Sequence, residues 1–191
     1  LNVAKPSPGN WGVVFGCGGI GLCAINAAAI SGCTRIIAVD ILQEKLQLAM
    51  ELGATHIIDA ETEDPVSEIL NICPNGVDIA IECSGRPENI GYCLSGVRDR
   101  GGMAIVVGNP RDGEKTLLDP RELNKGKQVI GTWGGDGTPD QDNPKYFELI
   151  RSGSLNLAAM IGDSYALSDI NQAITDLETG KSIRPIIDMT L

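Results

Sequence analysis

A glycine-rich turn between an apolar strand and an apolar helix constrains the fold of this chain more than any other feature of its sequence. The strand is predicted at residues 12–15, which read GVVF, and the helix at residues 19–31. The six residues GCGGIG at positions 16–21 join the two. A strand, a tight turn and a helix in this order are typical of the first unit of a parallel sheet.

The positions of the glycines in this turn indicate a site for a phosphate group. Gly16 allows the tight turn, Gly18 lets the backbone approach a pyrophosphate, and Gly21 lets the helix pack closely on the strand. The helix opens at Gly19 and Ile20, where free N–H groups and the helix dipole favour an anion. This strand-turn-helix setting predicts a dinucleotide, and a glycine-rich turn without a ligand is the alternative.

Short runs rich in Val and Ile alternate with helical patterns through the first 132 residues. Strands are expected at residues 12–15, 35–39, 56–58, 77–82, 103–107 and 128–132. Helices are expected at residues 19–31, 43–52, 65–73 and 87–97. This alternation is typical of an α/β protein with a parallel sheet covered on both faces. We predict a Rossmann-type, doubly wound, six-stranded parallel sheet that binds its ligand beyond the carboxyl ends of the strands.

The character of the chain changes at a turn-rich stretch, GGDGTPDQDNP, which begins at residue 134. We therefore expect a dinucleotide-binding domain at residues 1–133 and a C-terminal segment at residues 134–191. Helices are expected in this segment at residues 145–152 and 168–179, and strand-like runs in AMIGDSYAL and RPIIDM. No hairpin turn joins the two runs, and an unpaired strand needs a partner. We expect the segment to pack on a catalytic domain that is absent from this chain.

Asp40 closes the second predicted strand, 19 positions after Gly21. At this place a carboxylate accepts hydrogen bonds from the hydroxyls of the adenosine ribose and repels a 2′-phosphate. The next residues, Ile41 and Leu42, offer no arginine for such a phosphate. NAD is therefore predicted rather than NADP, with Lys45 within reach of the same ribose. A solvated aspartate that caps the following helix is the alternative interpretation of Asp40.

Net charge excludes two classes of partner. The chain carries a formal charge of -10, so the phosphates of a nucleic acid or an anionic membrane would repel it. Small molecules and other proteins remain as partners. The chain starts without a basic targeting segment, and its most apolar stretch, residues 20–30, is too short to span a bilayer. A cytoplasmic location is expected.

Neither the cysteines nor the single histidine forms a metal-binding pattern. No two of the six cysteines stand in a C-x-x-C pair, and we expect all of them to be reduced, partly buried apolar residues. His56 lies in a predicted strand, where a lone histidine is usually structural. We predict no metal site and no catalytic residue within the chain.

Further motifs follow the glycine turn in the order IIAVD, LGATHIID, GVDIAIECSG, GGMAIVVG and GKSIRPII. Together they resemble the coenzyme domain and C-terminal end of zinc-dependent, medium-chain alcohol dehydrogenases, over essentially the whole chain. The resemblance implies an oxidoreductase that transfers hydride between an alcohol or polyol and NAD, giving an aldehyde or ketone. In that family a catalytic zinc prepares the alcohol, and its ligands lie in the catalytic domain. Zinc is expected only there, and the isolated chain is expected to be inactive.

The resemblance also implies roles for residues after the later strands. The turns after the fourth, fifth and sixth strands would line the ribose and nicotinamide parts of the site with Cys83, Ser84, Gly85, Val107, Gly108, Thr132 and Trp133. Arg184 would reach the pyrophosphate, as a charge-assisted hydrogen bond would allow. Residues 113–119, which read GEKTLLD, match an edge strand that pairs two subunits, so a homodimer or higher oligomer is expected.

Other functions remain open at this point. A stand-alone NAD(H)-binding module without catalysis would need the same glycine turn and Asp40. A zinc-free oxidoreductase of the quinone-reductase type is an enzymatic alternative, although that branch commonly opens its glycine motif with alanines and often favours NADP. A short-chain dehydrogenase is disfavoured, because none of Tyr92, Tyr146 and Tyr165 is followed by a lysine four residues later. A methyltransferase would share the glycine loop but would not explain the C-terminal segment.

Overall fold

The computed structural model describes the whole chain, from Leu1 to Leu191. The chain divides into two compact units, Leu1–Leu155 and Asn156–Leu191, which are described separately. No helix in either unit has the length and apolar character needed to cross a membrane.

The first unit contains a six-stranded sheet in which every pair of neighbouring strands is parallel. Its strands are β1 (Trp11–Phe15), β2 (Arg35–Asp40), β3 (His56–Asp59), β4 (Ile79–Glu82), β5 (Met103–Val106) and β6 (Gln128–Gly131). Their order across the sheet is β3-β2-β1-β4-β5-β6. This is the doubly wound arrangement of two mononucleotide-binding halves, so the predicted fold class is confirmed.

Six helices belong to the same unit. They are α1 (Gly19–Ile30), α2 (Gln43–Glu51), α3 (Pro65–Ile72), α4 (Pro87–Gly96), α5 (Pro120–Asn124) and α6 (Pro139–Arg151). The first four match the predicted helices to within a residue or two. Helix α6 starts six residues before the predicted position, because Pro139 stands in its first turn, where a missing N–H costs nothing.

The core lies on both sides of the sheet. Neighbouring residues of one strand point to opposite faces, and Val13 and Val14 of β1 and Ile37 and Ala38 of β2 are all buried. Strands buried on two faces need apolar residues at successive positions, which explains why these runs are continuous rather than alternating. Two residues of α1 are also fully buried, Leu22 and Ile25. The sheet and its helices therefore form the rigid platform on which the turns at the strand ends are held.

The first compact unit extends to Leu155, so it includes residues 134–155 of the predicted C-terminal segment. Two hydrogen bonds connect residues 134–155 to residues near the start of the chain. The Asn2 side chain donates to Asp142 at 3.1 Å, and the Asn26 side chain donates to the carbonyl of Ser154 at 3.4 Å. Such contacts between residues more than 100 positions apart are invisible in the composition of a turn-rich stretch.

Residues 113–119 do not form the expected edge strand. The amide of Glu114 bonds to the carbonyl of Arg111 in a turn, and Asp119 caps the start of α5. The stretch between them is irregular, and Leu117 is 95% exposed. The edges of the sheet are β3 and β6 instead.

The second unit consists of helix α7 (Ile170–Glu178) and two short strands, β7 (Ser164–Ala166) and β8 (Ile186–Asp188). The two strands pair with each other in parallel, through a connection that contains α7. Each strand thus has a partner within the chain, contrary to the expectation that both lack one. Asp176 of α7 accepts a hydrogen bond of 2.7 Å from Tyr165, and this bond raises the pKa of the tyrosine to about 12.

A buried lysine closes the end of helix α4. The Lys127 side chain is only 5% exposed, and its ammonium group donates to the carbonyls of Leu94 and Ser95, each at 3.1 Å. It also pairs with Glu122. Carbonyls at a helix end have no partner within the helix, so the lysine satisfies groups that burial would otherwise leave unpaired.

We expect Lys127→Met to lower the free energy of unfolding of the chain by about 1–3 kcal/mol, because two buried carbonyls lose their donor. Urea denaturation followed by circular dichroism measures the change. The control is Lys125→Met, which removes an exposed pair with the same Glu122 and should change stability by less than about 0.5 kcal/mol. Equal effects of the two substitutions would contradict this assignment.

Candidate dinucleotide-binding site

The candidate site lies at the carboxyl ends of β1 and β4, where the strand order reverses direction. In open parallel sheets a crevice forms at this point, because the helices after the two strands lie on opposite faces. The turns after the two strands are in close contact. A Cβ atom added to Gly16 would lie 2.9 Å from the Cα atom of Ser84.

The glycines of the first turn have three different environments. Gly16 has a φ of +90°, which favours glycine, and faces Ser84. A Cβ atom on Gly21 would overlap the carbonyl oxygen of Gly16, so α1 approaches the turn more closely than any other residue allows. A Cβ atom on Gly18 would meet nothing within 4 Å. The space beside Gly18 is therefore open, as a site for a bound pyrophosphate requires.

Helix α1 begins directly at this open space. Gly18 is its N-cap, no side chain caps it, and its first turn contains no acidic residue. The first N–H groups of a helix, here those of Gly19 and Ile20, have no acceptor within the helix. Uncapped N–H groups and the positive end of the helix dipole make this terminus a fitting place for an anion.

The side chain of Cys17 points away from this space into the core. The thiol is fully buried, and its sulfur lies 3.8 Å from the carbonyl oxygen of Val39. Burial, and then the nearby charge of Asp40, raises the pKa of the Cys17 thiol to about 12. The thiol is thus held in its neutral form and fills the core, and only the backbone of this residue belongs to the turn.

Asp40 ends β2 and connects three backbone segments. Its Oδ2 atom accepts a hydrogen bond of 2.6 Å from the amide of Cys17. Its Oδ1 atom accepts from the amides of Ile41, at 2.8 Å, and Leu42, at 3.1 Å. A carboxylate has about four acceptor positions, so roughly one remains for a ribose hydroxyl. Lys45, in the first turn of α2, is half-buried.

The turn after β4 is organised by a residue that the sequence interpretation did not single out. Glu82 is fully buried, and its Oε1 atom accepts hydrogen bonds from the amide and hydroxyl of Ser84 and from the amide of Gly85. Its Oε2 atom has no partner. Burial, and then the charge of Glu82, raises the pKa of the neighbouring Cys83 thiol. A charged residue at the end of the apolar run IAI was the signal in the sequence.

The turns after β5 and β6 lie at the same carboxyl end of the sheet. The amides of Val107 and Gly108 both donate to the carbonyl of Glu82, each at 2.9 Å. A Cβ atom on Gly108 would overlap Glu82 Oε2 and the backbone of Gly85, so only glycine fits there. Thr132 follows β6, and its hydroxyl donates to Asp136 at 2.7 Å. The structure thus brings the predicted residues of the first unit to the carboxyl end of the sheet.

Comparison with known proteins identifies the family. Residues 19–152 match the family described as zinc-binding dehydrogenase. The chain belongs to this family. It is 35% identical over 191 residues to alcohol dehydrogenase 1 of Pisum sativum, a match that covers 99% of this chain and 50% of that protein.

Solved structures of zinc-binding dehydrogenases have the same fold. Benzyl alcohol dehydrogenase from Acinetobacter calcoaceticus superposes with a TM-score of 0.93 at 36% identity, covering 97% of this chain and 51% of that one. A putative zinc-binding dehydrogenase from Sinorhizobium meliloti 1021, bound to NADP, gives 0.80 at 26% identity over 88% of this chain and 49% of that one. The chain spans about half the length of these relatives.

Within this zinc-binding dehydrogenase chain, no group of three or more His, Cys, Asp or Glu side chains could hold a metal ion. All six cysteines are free. His56 lies in β3 and shares a hydrogen bond of 2.9 Å with the hydroxyl of Thr55. Arg184 belongs to the second unit, where it is exposed just before β8, and its contact with a pyrophosphate stays a prediction.

Gly18 and Gly21 offer a test that separates binding from folding. Gly18 has a φ of -76° and a ψ of -172°, which alanine adopts freely, so we expect Gly18→Ala to change stability by less than about 0.5 kcal/mol. The added methyl group would nevertheless occupy the open space and weaken the binding of ADP roughly tenfold. Calorimetric titration with ADP and urea denaturation measure the two effects.

Gly21→Ala is the matched control for this prediction. Its methyl group would meet the Gly16 carbonyl, so this substitution should lower the stability of the chain by about 1–3 kcal/mol. Unchanged ADP binding in the Gly18→Ala protein would show that no pyrophosphate lies beside Gly18.

Proposed function

We propose that this chain is the coenzyme-binding part of an NAD-dependent alcohol or polyol dehydrogenase. The observation that carries the proposal is the open space beside Gly18, at an uncapped helix start and at the point where the strand order reverses. A nicotinamide dinucleotide bound there would accept or give up the hydride. The family supports a nicotinamide coenzyme, and the relatives named alcohol dehydrogenase support the class of substrate.

Each predicted site residue of the first unit has a role in binding this coenzyme. The backbone of Gly16, Gly18, Gly19, Ile20 and Gly21 would hold the pyrophosphate. Asp40 and Lys45 would bind the adenosine ribose. Cys83 and Ser84 would lie under the nicotinamide nucleotide, with Val107, Gly108 and Thr132 beside its ring.

We propose that an alcohol, or the corresponding aldehyde or ketone, is the substrate of the complete protein. Zinc would lower the pKa of the alcohol hydroxyl or polarise the carbonyl in the reverse direction. This chain contains no cluster of three side chains that could bind a metal ion, which supports the proposal that the zinc ligands lie outside these 191 residues. The same observation favours one alternative, an NAD(H)-binding module without catalysis.

We predict that the 191-residue chain oxidises no alcohol and holds no stoichiometric zinc, because it lacks a ligand cluster. Elemental analysis of the purified chain and assays of NAD reduction with primary alcohols, secondary alcohols and polyols measure this. One tightly held zinc per chain, or turnover of any of these alcohols, would contradict the prediction. Turnover by a longer form of the protein, at the same site, would exclude the non-catalytic module.

We predict that the chain binds NADH at least about tenfold more tightly than NADPH, since the 2′-phosphate replaces a hydroxyl donor and approaches the charge of Asp40. Asp40→Asn should reduce this preference, and Asp40→Asn combined with Ile41→Arg should reverse it. The ratio of the two affinities is the correct measure. Because Asp40 also holds the amide of Cys17, its loss weakens both dinucleotides, and this shared effect cancels in the ratio.

Asp59→Asn is the control for the coenzyme preference. Asp59 ends β3 and is the register partner of Asp40, so its substitution removes the same charge one strand farther out. It should leave the preference for NADH unchanged. Fluorescence titration with both nucleotides measures all four proteins, and equal affinities of the unmodified chain would contradict the role of Asp40.

We propose that the chain self-associates through the face that carries β6 and residues 113–119. Edge strand β6 has one unpaired side, and Leu117 and Trp133 are 95% and 85% exposed. Leu117→Glu should therefore weaken a dimer seen by sedimentation velocity, whereas Met50→Glu on α2 should not. A monomer at concentrations up to about 100 μM, where interfaces of ordinary affinity are saturated, would contradict the proposal.

A further inference from the structure

Glu82 is a fully buried acid at the end of an apolar strand. It takes part in none of the nine ion pairs of the structure. Burying a carboxylate without a cation is costly, because the protein interior solvates charge poorly. The coenzyme roles proposed above leave this residue without a function.

The two carboxylate oxygens of Glu82 have different environments. Oε1 accepts bonds of 2.7 Å and 2.5 Å from the amide and hydroxyl of Ser84, and of 3.0 Å from the amide of Gly85. The ionised carboxylate is a pure acceptor and matches these three donors. Oε2 is buried without a donor, against the Cα atom of Gly108. The charge is therefore only partly compensated by the residues around it.

The carboxylate of Glu82 lies in one half of the sheet, the half that contains β4, β5 and β6. In the β1-β2-β3 half, Asp40 ends β2 and lies on the adenosine side of the proposed coenzyme. Glu82 ends β4 and supports the turns after β4 and β5, in the half that holds the second nucleotide. That nucleotide carries the nicotinamide ring, which is positively charged in NAD+ and neutral in NADH.

We propose that the buried carboxylate of Glu82 makes the site selective for the oxidation state of the coenzyme, favouring NAD+ relative to NADH. The inference rests on the proposed function, because it requires a nicotinamide nucleotide beyond β4. An anion beneath the turn attracts the cationic ring, and the attraction is weakly screened because Glu82 lies beyond the reach of solvent and salt. Burial, and then the charge of Glu82, raises the pKa of the Cys93 thiol.

A purely structural role for Glu82 makes a different prediction. If the carboxylate only closes the turn through Ser84 and Gly85, its substitution affects NAD+ and NADH equally, because both contain the same nucleotides. If its charge acts on the ring, the two affinities change by different factors. The ratio of the two dissociation constants therefore separates charge from support.

The test compares the unmodified chain with Glu82→Gln. Glutamine has the shape of glutamate, and its amide oxygen can accept from the backbone amides of Ser84 and Gly85, so the charge is lost and the backbone of the turn is retained. Glu51→Gln, at the exposed end of α2, is the control that removes one surface charge from the same unit. Dissociation constants for NAD+, NADH and ADP are measured by isothermal titration calorimetry.

In Glu82→Gln we expect the dissociation constant of NAD+ to rise roughly three- to tenfold relative to that of NADH, the effect of one charge at an effective dielectric constant of about 20. ADP, which lacks the nicotinamide, should bind as before, and Glu51→Gln should leave the ratio unchanged. An unchanged ratio in a Glu82→Gln protein that binds ADP normally overturns the inference. An unmodified chain that binds neither dinucleotide contradicts the proposed function and removes the inference with it.

A second measurement needs no substitution and decides the matter if the Glu82→Gln protein does not fold. The neutral benzamide analogue of NAD has a flat ring of the same shape without the charge. We expect the unmodified chain to bind this analogue roughly three- to tenfold more weakly than NAD+. Equal affinity for the two overturns the inference.

Discussion

The close approach of helix α1 to strand β1 is the constraint on which the rest of the site depends. The carbonyl oxygen of Gly16 occupies the place where a side chain of Gly21 would begin, so the helix starts directly against the turn. This contact points the first N–H groups of α1 at the crevice between β1 and β4. Gly16 also lies against Ser84, and this contact links the two halves of the sheet.

Hydrogen bonds connect the turns that follow the strands at the carboxyl end of the sheet. Asp40 joins the glycine turn to the start of α2, and the carbonyl of Glu82 receives the amides of Val107 and Gly108. Both acids act on the backbone of the turns, although one is half-buried and the other fully buried. Both acids therefore hold backbone segments that border the crevice between β1 and β4.

The strands and the glycine turn could be predicted from the sequence, because the spacing of apolar residues and the order of the glycines specify them. Short apolar runs and the order of glycines need only neighbouring residues to be understood. The pairing of β7 with β8 could not be predicted, since it joins residues that are far apart in the chain. Glu82 was missed, although a charged residue at the end of an apolar run is visible in the sequence. Its contact with Gly108, 26 positions later, is not visible, because no local pattern connects the two residues.

The two oxygens of Glu82 also show why a structural explanation of this residue is incomplete. Oε1 closes the turn, but a neutral side chain with one acceptor oxygen could bind the same amides of Ser84 and Gly85. The charge strengthens these hydrogen bonds but is not needed to form them, and burying it without a cation costs stability on the order of several kcal/mol. A cost that local packing does not offset points to a partner outside the chain's own atoms. A cationic ring above the turn is the partner whose charge would offset it.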